Sequence, residues 1–387
     1  MSKPPLRIAI LGYNFMGKAH SNAWLQASRF FDLPMQPELK VACGRNETAA
    51  KAFAENWGWQ DVETDWRKVV ERDDIDVIDI SLPQYLHHDV AVAAARNGKH
   101  IFCEKPMALT LSEAENMLTE AETAGVKHYV NHNYRRCPAV RLARQLIDEG
   151  KIGRIFHWRG TYQQDWIVDP NFPLTWQLQK ETAGAGPHAD LNSHSVDLAH
   201  FLIGDIRTVS CLTTNFIKER PLPSEGATFS TGAESKSQEM GEVTVEDASL
   251  MMVEFENGAV GSFEATRFAP GRKNHNRFEI YGSEGSIIFD LERMNELQYF
   301  SRNDPAHAQG FRTIQATESC HPYIANWWPP GHIIGYEHAF VHAVVDFVGA
   351  VANNSAIDPD FSDGVKCIRV LEAALQSAES GQRVILT

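Results

Sequence analysis

No apolar run in this 387-residue chain approaches the ~18 residues of a helical bilayer span, so the sequence offers no membrane-crossing helix. Residues 1–7 lead almost directly into a strand-like stretch, without the hydrophobic segment of a secretory signal. Cysteine is sparse: Cys43, Cys103, Cys137, Cys211, Cys320 and Cys367 are widely scattered and form no Cys-x-x-Cys pair. That excludes a disulfide framework and reads as reduced thiols in a cytoplasmic protein. Basic runs are missing too. With 36 Lys and Arg against 50 Asp and Glu, the net charge is −14, which argues against nucleic acid or an anionic membrane as partner. A local cationic pocket for a phosphate is still allowed. No internal repeat is visible.

What is present is the composition of a packed globular protein: 43% apolar, 10% aromatic and 22% charged residues. The length predicts two domains. In the first, apolar runs at 6–11, 39–43, 77–81, 100–103 and 127–131 alternate with helical stretches at 16–28, 47–57, 85–97 and 111–124. Gly98 and Gly125 close the last two helices as left-handed caps. Strands alternating with helices of this length imply βαβ units and a parallel sheet. Residues 1–131 are therefore expected to form an α/β dinucleotide-binding domain of the Rossmann type.

From residue 132 the pattern changes. A helix at 139–149 leads into an alternating stretch at 155–163, and later runs at 249–256, 259–266, 278–281 and 286–290 are separated by Asn257-Gly258 and Glu284-Gly285. Asn-Gly between apolar runs is a strong hairpin signal. Residues 132–387 are expected to form an α+β domain with a large, mostly antiparallel sheet and covering helices. One long helix is read at 187–202, stopped by Gly204, with further helices at 336–350 and 362–380. Residues 221–240, polar and rich in Ser, Gly and Glu, read as a surface loop. An uncovered sheet face would be a natural subunit interface, so a dimeric or tetrameric homo-oligomer is expected.

The first turn carries the chemistry of nucleotide binding. Gly12, Asn14 and Gly17 occupy the positions of Gly-x-Gly-x-x-Gly, with asparagine in the middle, as the residue most tolerant of φ > 0 after glycine. Following a strand and opening a helix, this pattern places a pyrophosphate against helix amides; otherwise it is an ordinary tight turn. The second strand ends in Cys43-Gly44-Arg45-Asn46, with no acid for a ribose hydroxyl. Arg45 leans toward NADP through a 2′-phosphate, although arginine also stacks on adenine beside NAD.

Lys105, bracketed by Glu104 and Pro106, stands at the carboxyl end of a strand, where ligands of such sheets bind. Asp190 and His194 lie four residues apart in the long helix of the second domain, so one face presents a carboxylate and an imidazole. Oxidising an alcohol to a ketone requires a base for the O–H proton while hydride leaves. His194 is the candidate base, oriented or assisted by Asp190, and Lys105 would polarise the oxygen or share the proton. A surface ion pair is the alternative for Asp190 and His194. Tyr134, Tyr162, Trp166, Trp176 and Tyr336 offer faces on which a sugar ring stacks. His87-His88 and His338-x-x-x-His342 lack the companions of a metal site, and no metal is expected.

Four ordered motifs resemble the Gfo/Idh/MocA oxidoreductases over essentially the whole chain. They are Gly12 to Gly17 followed by His20, Leu82-Pro83-Gln84-x-x-His87, Glu104-Lys105-Pro106, and Gly186-x-x-x-Asp190-x-x-x-His194. Asn133-Tyr134-Arg135-Arg136, Gly160-Thr161-Tyr162 and His321-Pro322-Tyr323 are similar to sugar and anhydrosugar dehydrogenases within that family. The resemblance implies coenzyme contacts from Gly12, Tyr13, Asn14, Phe15, Met16, Arg45, Ser81, Leu82, Pro83, Gln84, His87, Glu104, Lys105 and Asn133. It implies catalysis by Lys105, Asp190 and His194, a carbohydrate substrate, and NAD where Arg45 alone leans to NADP. The activity implied is NAD(P)-dependent hydride removal from a ring hydroxyl carbon, C3 by preference. The alternative is a redox-neutral glycosidase with retained NAD, which oxidises C3 transiently, eliminates and adds water; His188 or Tyr134 would supply its extra acid or base. A sensor that has lost catalysis fits poorly with Lys105, Asp190 and His194 together. Two positions depart from the family pattern. Gln177 follows Trp176 where a cation is usual, and His188 reads as an added substrate donor or as a surface residue at a helix start.

Overall fold

The apolar runs of the first half build one parallel sheet in a computed structural model that describes residues 3–223 and 239–386. Its strands are β1 (Pro5–Leu11), β2 (Gln36–Cys43), β3 (Asp61–Glu63), β4 (Val77–Ile80), β5 (His100–Cys103) and β6 (His128–Val130), in the order β3-β2-β1-β4-β5-β6. Connecting helices are α1 (Phe15–Phe30), α2 (Glu47–Trp57), α3 (Trp66–Val70), α4 (His87–Arg96) and α5 (Leu111–Ala124). Ile8, Ile10, Val77, Ile78 and Ile101 are fully buried, as a sheet covered on both faces requires. Asn46 caps α2 by accepting from the Ala49 amide, and Thr110 with Glu113 forms a capping box on α5. The strand order reverses between β1 and β4, which opens a ligand crevice at their carboxyl ends. β3 and α3 were not legible in the sequence, because three residues of an edge strand and a five-residue helix are too short to show a period.

Two units divide the chain, and neither is contiguous: Met1–Arg136 with Ile334–Val365, and Cys137–Ile333 with Lys366–Thr387. The sequence reading, by contrast, kept residues 132–387 together. The physical reason lies in α10 (Tyr336–Asn353), after helices α6–α9 described below. Its apolar face packs on α1, with Phe347 in edge contact with Trp24 and Phe102 at 6.3 and 5.3 Å between ring centroids.

The second unit holds α6 (Pro138–Asp148), β7 (Ile155–Gln163), α7 (Lys180–Ala183), α8 (Pro187–Asp190), α9 (Asn192–Leu202), β8 (Ile206–Thr214), β9 (Glu219–Pro221) and β10 (Met240–Glu242). β11 (Ala248–Phe255), β12 (Val260–Thr266), β13 (His275–Gly282), β14 (Gly285–Asp290), β15 (Glu296–Ser301), β16 (Arg312–Gln315) and β17 (Val384–Ile385) follow, and α11 (Phe361–Ser380) ends here. The large sheet runs β16-β15-β14-β13-β7-β12-β11-β8-β17, antiparallel except between β12 and β7. Both turns read from the sequence join hairpins, β11 to β12 at Asn257-Gly258 and β13 to β14 at Glu284-Gly285. On the inner face Trp158 stacks on Phe278, ring centroids 5.2 Å apart. β9 and β10 pair with each other, and the loop read at 221–240 lies largely outside the described residues.

The long helix read at 187–202 is two helices. Pro187 starts α8, and Leu191 at φ −97°, ψ −49° interrupts the run before α9. The His194 amide donates to the Leu191 carbonyl, three residues back instead of four.

One polar network lies inside the first unit. His20 on α1 is 1% exposed, and its Nδ1 is 2.7 Å from Asp79 Oδ1 while its Nε2 is 2.8 Å from Glu104 Oε1. Trp24 Nε1 donates to Asp79 Oδ2 at 2.7 Å, Asn131 Nδ2 donates to Glu104 Oε1 at 2.7 Å, and the Lys105 amide donates to Glu104 Oε2 at 3.2 Å. Burial alone would push the imidazole toward neutrality, yet Asp79 and Glu104 outweigh it and raise its pKa from 6.5 to about 10. Burial likewise opposes ionisation of Glu104, and His20 overcomes it and holds that carboxyl below its usual range.

Replacing His20 with Gln leaves two buried carboxylates without their counter-cation, and a loss of about 3–5 kcal/mol in urea unfolding is expected. The raised histidine contributes stability that is complete below 6.5 and is lost as the pH climbs through about 10. Wild-type stability should therefore fall across that window, and His20→Gln should abolish that part of the slope. An unchanged slope in the variant would refute the assignment.

Candidate active site

The turn after β1 is shaped by atoms that leave no room for side chains. Gly12 adopts φ +108°, and a Cβ there would lie 2.4 Å from the Ser81 carbonyl oxygen. One on Gly17 would lie 2.2 Å from the Gly12 oxygen, and one on Gly44 2.0 Å from the Tyr13 ring. Asn14 is not there for a positive φ: it sits at φ −79°, ψ −153°, as an ordinary N-cap. Its side chain makes no capping hydrogen bond, and the first turn of α1, Phe15 to Gly17, carries no acid. The positive end of a 16-residue helix thus faces the crevice with nothing of its own to neutralise it, which suits a pyrophosphate. Arg45 is exposed beyond β2, and Glu63, beside Cys43 in the sheet, spends its carboxylate on the Thr64 and Asp65 amides.

The loops after β4 and β5 are laced together. His87 places its ring nitrogens 3.0 Å from the Pro106 carbonyl and 2.9 Å from that of Leu82, and Gln84 Nε2 donates to the Ala108 carbonyl at 2.6 Å. Burial pushes the His87 pKa down, against the two carbonyls that its ring nitrogens face. Gln84 and His87 therefore shape the loop, whereas Ser81, Leu82 and Pro83 are part-exposed along it. Lys105 is part-exposed directly after Glu104, whose carboxylate receives its amide. Asn133 is 3% exposed, and its Nδ2 is buried with no partner among the described residues, as expected of a donor kept for a ligand. Phe15 stacks on Tyr336 at 6.3 Å, and Tyr336 meets Tyr134 at 6.4 Å. The turn, the uncapped helix and this unsatisfied donor fit a dinucleotide.

The second unit gathers other candidates. Asp190, at the end of α8, accepts from Arg267 Nη2 at 2.7 Å, and Arg267 is 1% exposed with its guanidinium 5.1 Å from the Trp166 ring centre. Trp166 Nε1 donates to Gln164 Oε1 at 2.8 Å. His194, in the first turn of α9, is 5% exposed with its ring 5.9 Å from that of Tyr162. Tyr162 donates its hydroxyl to Asn274 Oδ1 at 2.7 Å, an oxygen that also accepts from Gln164 Nε2 at 3.0 Å. Trp176 is exposed on a separate short turn.

His188 corrects the sequence reading in both of its forms. It is fully buried, with Nδ1 2.9 Å from Ser249 Oγ and Nε2 2.8 Å from the Leu371 carbonyl. It is not a surface residue, and both nitrogens are committed to the protein instead of to a substrate. Arg267 and the buried Asp79 were missed. An acid inside the apolar run Val77-Ile78-Asp79-Ile80 was the available signal for the second, while Arg267 had none beyond following a strand.

Two family models match the chain: the oxidoreductase family with NAD-binding Rossmann fold over residues 6–132, and the GFO/IDH/MocA C-terminal domain over residues 140–288. Levoglucosan dehydrogenase of Pseudarthrobacter phenanthrenivorans is 42% identical over 375 residues, 96% of each chain. A crystal structure of an oxidoreductase domain protein from Kribbella flavida is similar at 47% identity and TM-score 0.94, covering 100% of both chains. A levoglucosan dehydrogenase in complex with NADH and levoglucosan is similar at 41% identity and TM-score 0.93, covering 99% of both. With family models matched over residues 6–132 and 140–288 and a relative 42% identical over 96% of its length, the chain belongs to the Gfo/Idh/MocA family of oxidoreductases.

Proposed function

We propose that this protein is an NAD-dependent dehydrogenase of a sugar or anhydrosugar, oxidising a ring hydroxyl, by preference at C3. The observation that carries the reading is the uncapped glycine turn at the end of β1, in the same parallel sheet that presents Lys105 after β5. Relatives described as levoglucosan dehydrogenase, one of them in complex with NADH and levoglucosan, support the substrate class and the coenzyme. Bound NAD would supply the hydride acceptor. Gly12 to Met16 would hold its pyrophosphate, with Ser81, Leu82, Pro83 and Asn133 beside it, and Gln84, His87 and Glu104 keeping those loops in shape. Lys105 would donate to the reacting oxygen. His194 would take the hydroxyl proton, and Asp190, anchored by Arg267, would orient a hydroxyl of the sugar. Tyr134, Tyr162, Trp166, Trp176 and Tyr336 remain candidates for stacking or for framing the ring.

Sugars, anhydrosugars and aryl glycosides offered with NAD separate the readings. Net NADH formation with a free sugar is expected, whereas glycoside cleavage without net NADH would mark the redox-neutral alternative. Lys105→Ala should lower kcat by roughly 10²–10⁴-fold while NADH binding persists, and undiminished turnover would remove Lys105 from the mechanism.

Arg45 tests the coenzyme. If NAD is the partner and Arg45 merely lies over adenine, Arg45→Ala should change kcat/KM for NAD by only a few fold, about 1 kcal/mol. A strong wild-type preference for NADP that this substitution abolishes would reverse the assignment.

We further propose a homo-oligomer assembled through the outer sheet face. Leu212 and Leu250 are paired neighbours on it, 65% and 46% exposed, with Met252 at 69%. Monomeric proteins rarely leave such a patch to water. Light scattering should give a multiple of the chain mass, and Leu250→Glu with Met252→Glu should lower it; a monomeric wild type would end this proposal.

A further inference from the structure

Among the described residues, one group of His, Cys, Asp and Glu side chains brings three donor atoms within 4.8 Å of one another: His275, Asp290 and Glu292. It lies at one end of the β13–β14 hairpin in the second unit. His275 opens β13, Asp290 closes β14, and Glu292 sits on the helical turn that follows. His275 is 5% exposed, and its Nδ1 is buried without a hydrogen-bond partner. That nitrogen lies between two oxygens, Asp290 Oδ1 and Glu292 Oε2, at 3.4 Å from each.

The spacing is informative. Good N–H···O hydrogen bonds run about 2.7–3.2 Å, so 3.4 Å to both oxygens serves neither well. Two ligand atoms each about 2.1 Å from a shared tetrahedral ion stand about 3.4 Å apart. Both carboxylates are held in place by other bonds. Asp290 Oδ1 accepts the Glu292 amide at 3.0 Å, and Glu292 Oε1 accepts the Lys273 and Asn274 amides at 3.2 Å each, which leaves Oε2 turned to the histidine. Such outer bonds are what fix metal ligands in position. The competing cation is Arg272, with Nη1 3.6 Å from Glu292 Oε2 on a half-exposed side chain.

We propose that His275 Nδ1, Asp290 and Glu292 form a binding site for a divalent transition-metal ion of the zinc type, with water completing the shell. One imidazole and two carboxylates suit such an ion, and their charges balance it. The site would clamp the start of β13. Asn274, next to His275, receives the Tyr162 hydroxyl and the Gln164 amide, so the ion would stiffen the strand end that frames Tyr162 and Trp166. It takes no part in hydride transfer.

The experiment uses the full chain, stripped with chelator and titrated with Zn²⁺ by calorimetry and with Co²⁺ by visible absorption. One equivalent per chain is expected, with the intense d–d band of four-coordinate Co²⁺. Asp290→Asn with Glu292→Gln keeps the backbone acceptors and should weaken binding by about tenfold or more. No stoichiometric uptake by the wild type would overturn the proposal. Equal affinity in the double variant would also overturn it, because the ion would then be elsewhere. Should that variant fold poorly, the wild-type Co²⁺ spectrum still decides: a weak six-coordinate band rejects the site.

Discussion

A doubly bonded histidine between two buried carboxylates is the constraint on which the first unit depends. His20 reaches from α1 to Asp79 in β4 and to Glu104 just after β5, while Asn131, just after β6, closes on the same Glu104. Three ionisable groups, each under 5% exposed, survive in the interior only because every charge is met by an opposite charge or a donor. The consequence is geometric. Glu104 cannot turn without breaking bonds to α1, so the residue after it, Lys105, leaves the sheet in one direction. The nucleotide turn begins the same helix that carries His20, so the glycine turn and the lysine share one rigid frame.

The second unit solves a similar problem with fewer charges. Asp190 ends one short helix and His194 lies in the first turn of the next, and the break at Leu191 means that helix periodicity alone does not set their mutual geometry. Arg267, almost wholly buried, anchors Asp190 and lies over Trp166. Asn274 ties Tyr162 to Gln164 in the neighbouring strand end. His188 lies below this layer, joining Ser249 on the sheet to the carbonyl of Leu371 on α11. Its role is to join helix to sheet.

Much was legible in the residues. Alternation of apolar runs and helices foretold the parallel sheet, and Asn257-Gly258 and Glu284-Gly285 marked two hairpins, because backbone conformation at such positions is a local property. The glycine turn was readable for the same reason, although Asn14 takes its place as an N-cap and not as a substitute for glycine's positive φ. β3 and the interruption at Leu191 were not readable. One is too short for a pattern, and the other is a single residue whose side chain suits a helix well.

By itself, then, the sequence determined the fold class, the hairpins, the nucleotide turn and the positions of Lys105, Asp190 and His194 along the chain, since each follows from local propensity or a short motif. Only the tertiary structure decided which side chains meet. The pairing of Asp190 with Arg267, the commitment of His188 to Ser249 and Leu371 and the return of α10 to the first unit all join residues distant in sequence. Such contacts are set by packing of whole elements, for which no local periodicity carries a signal.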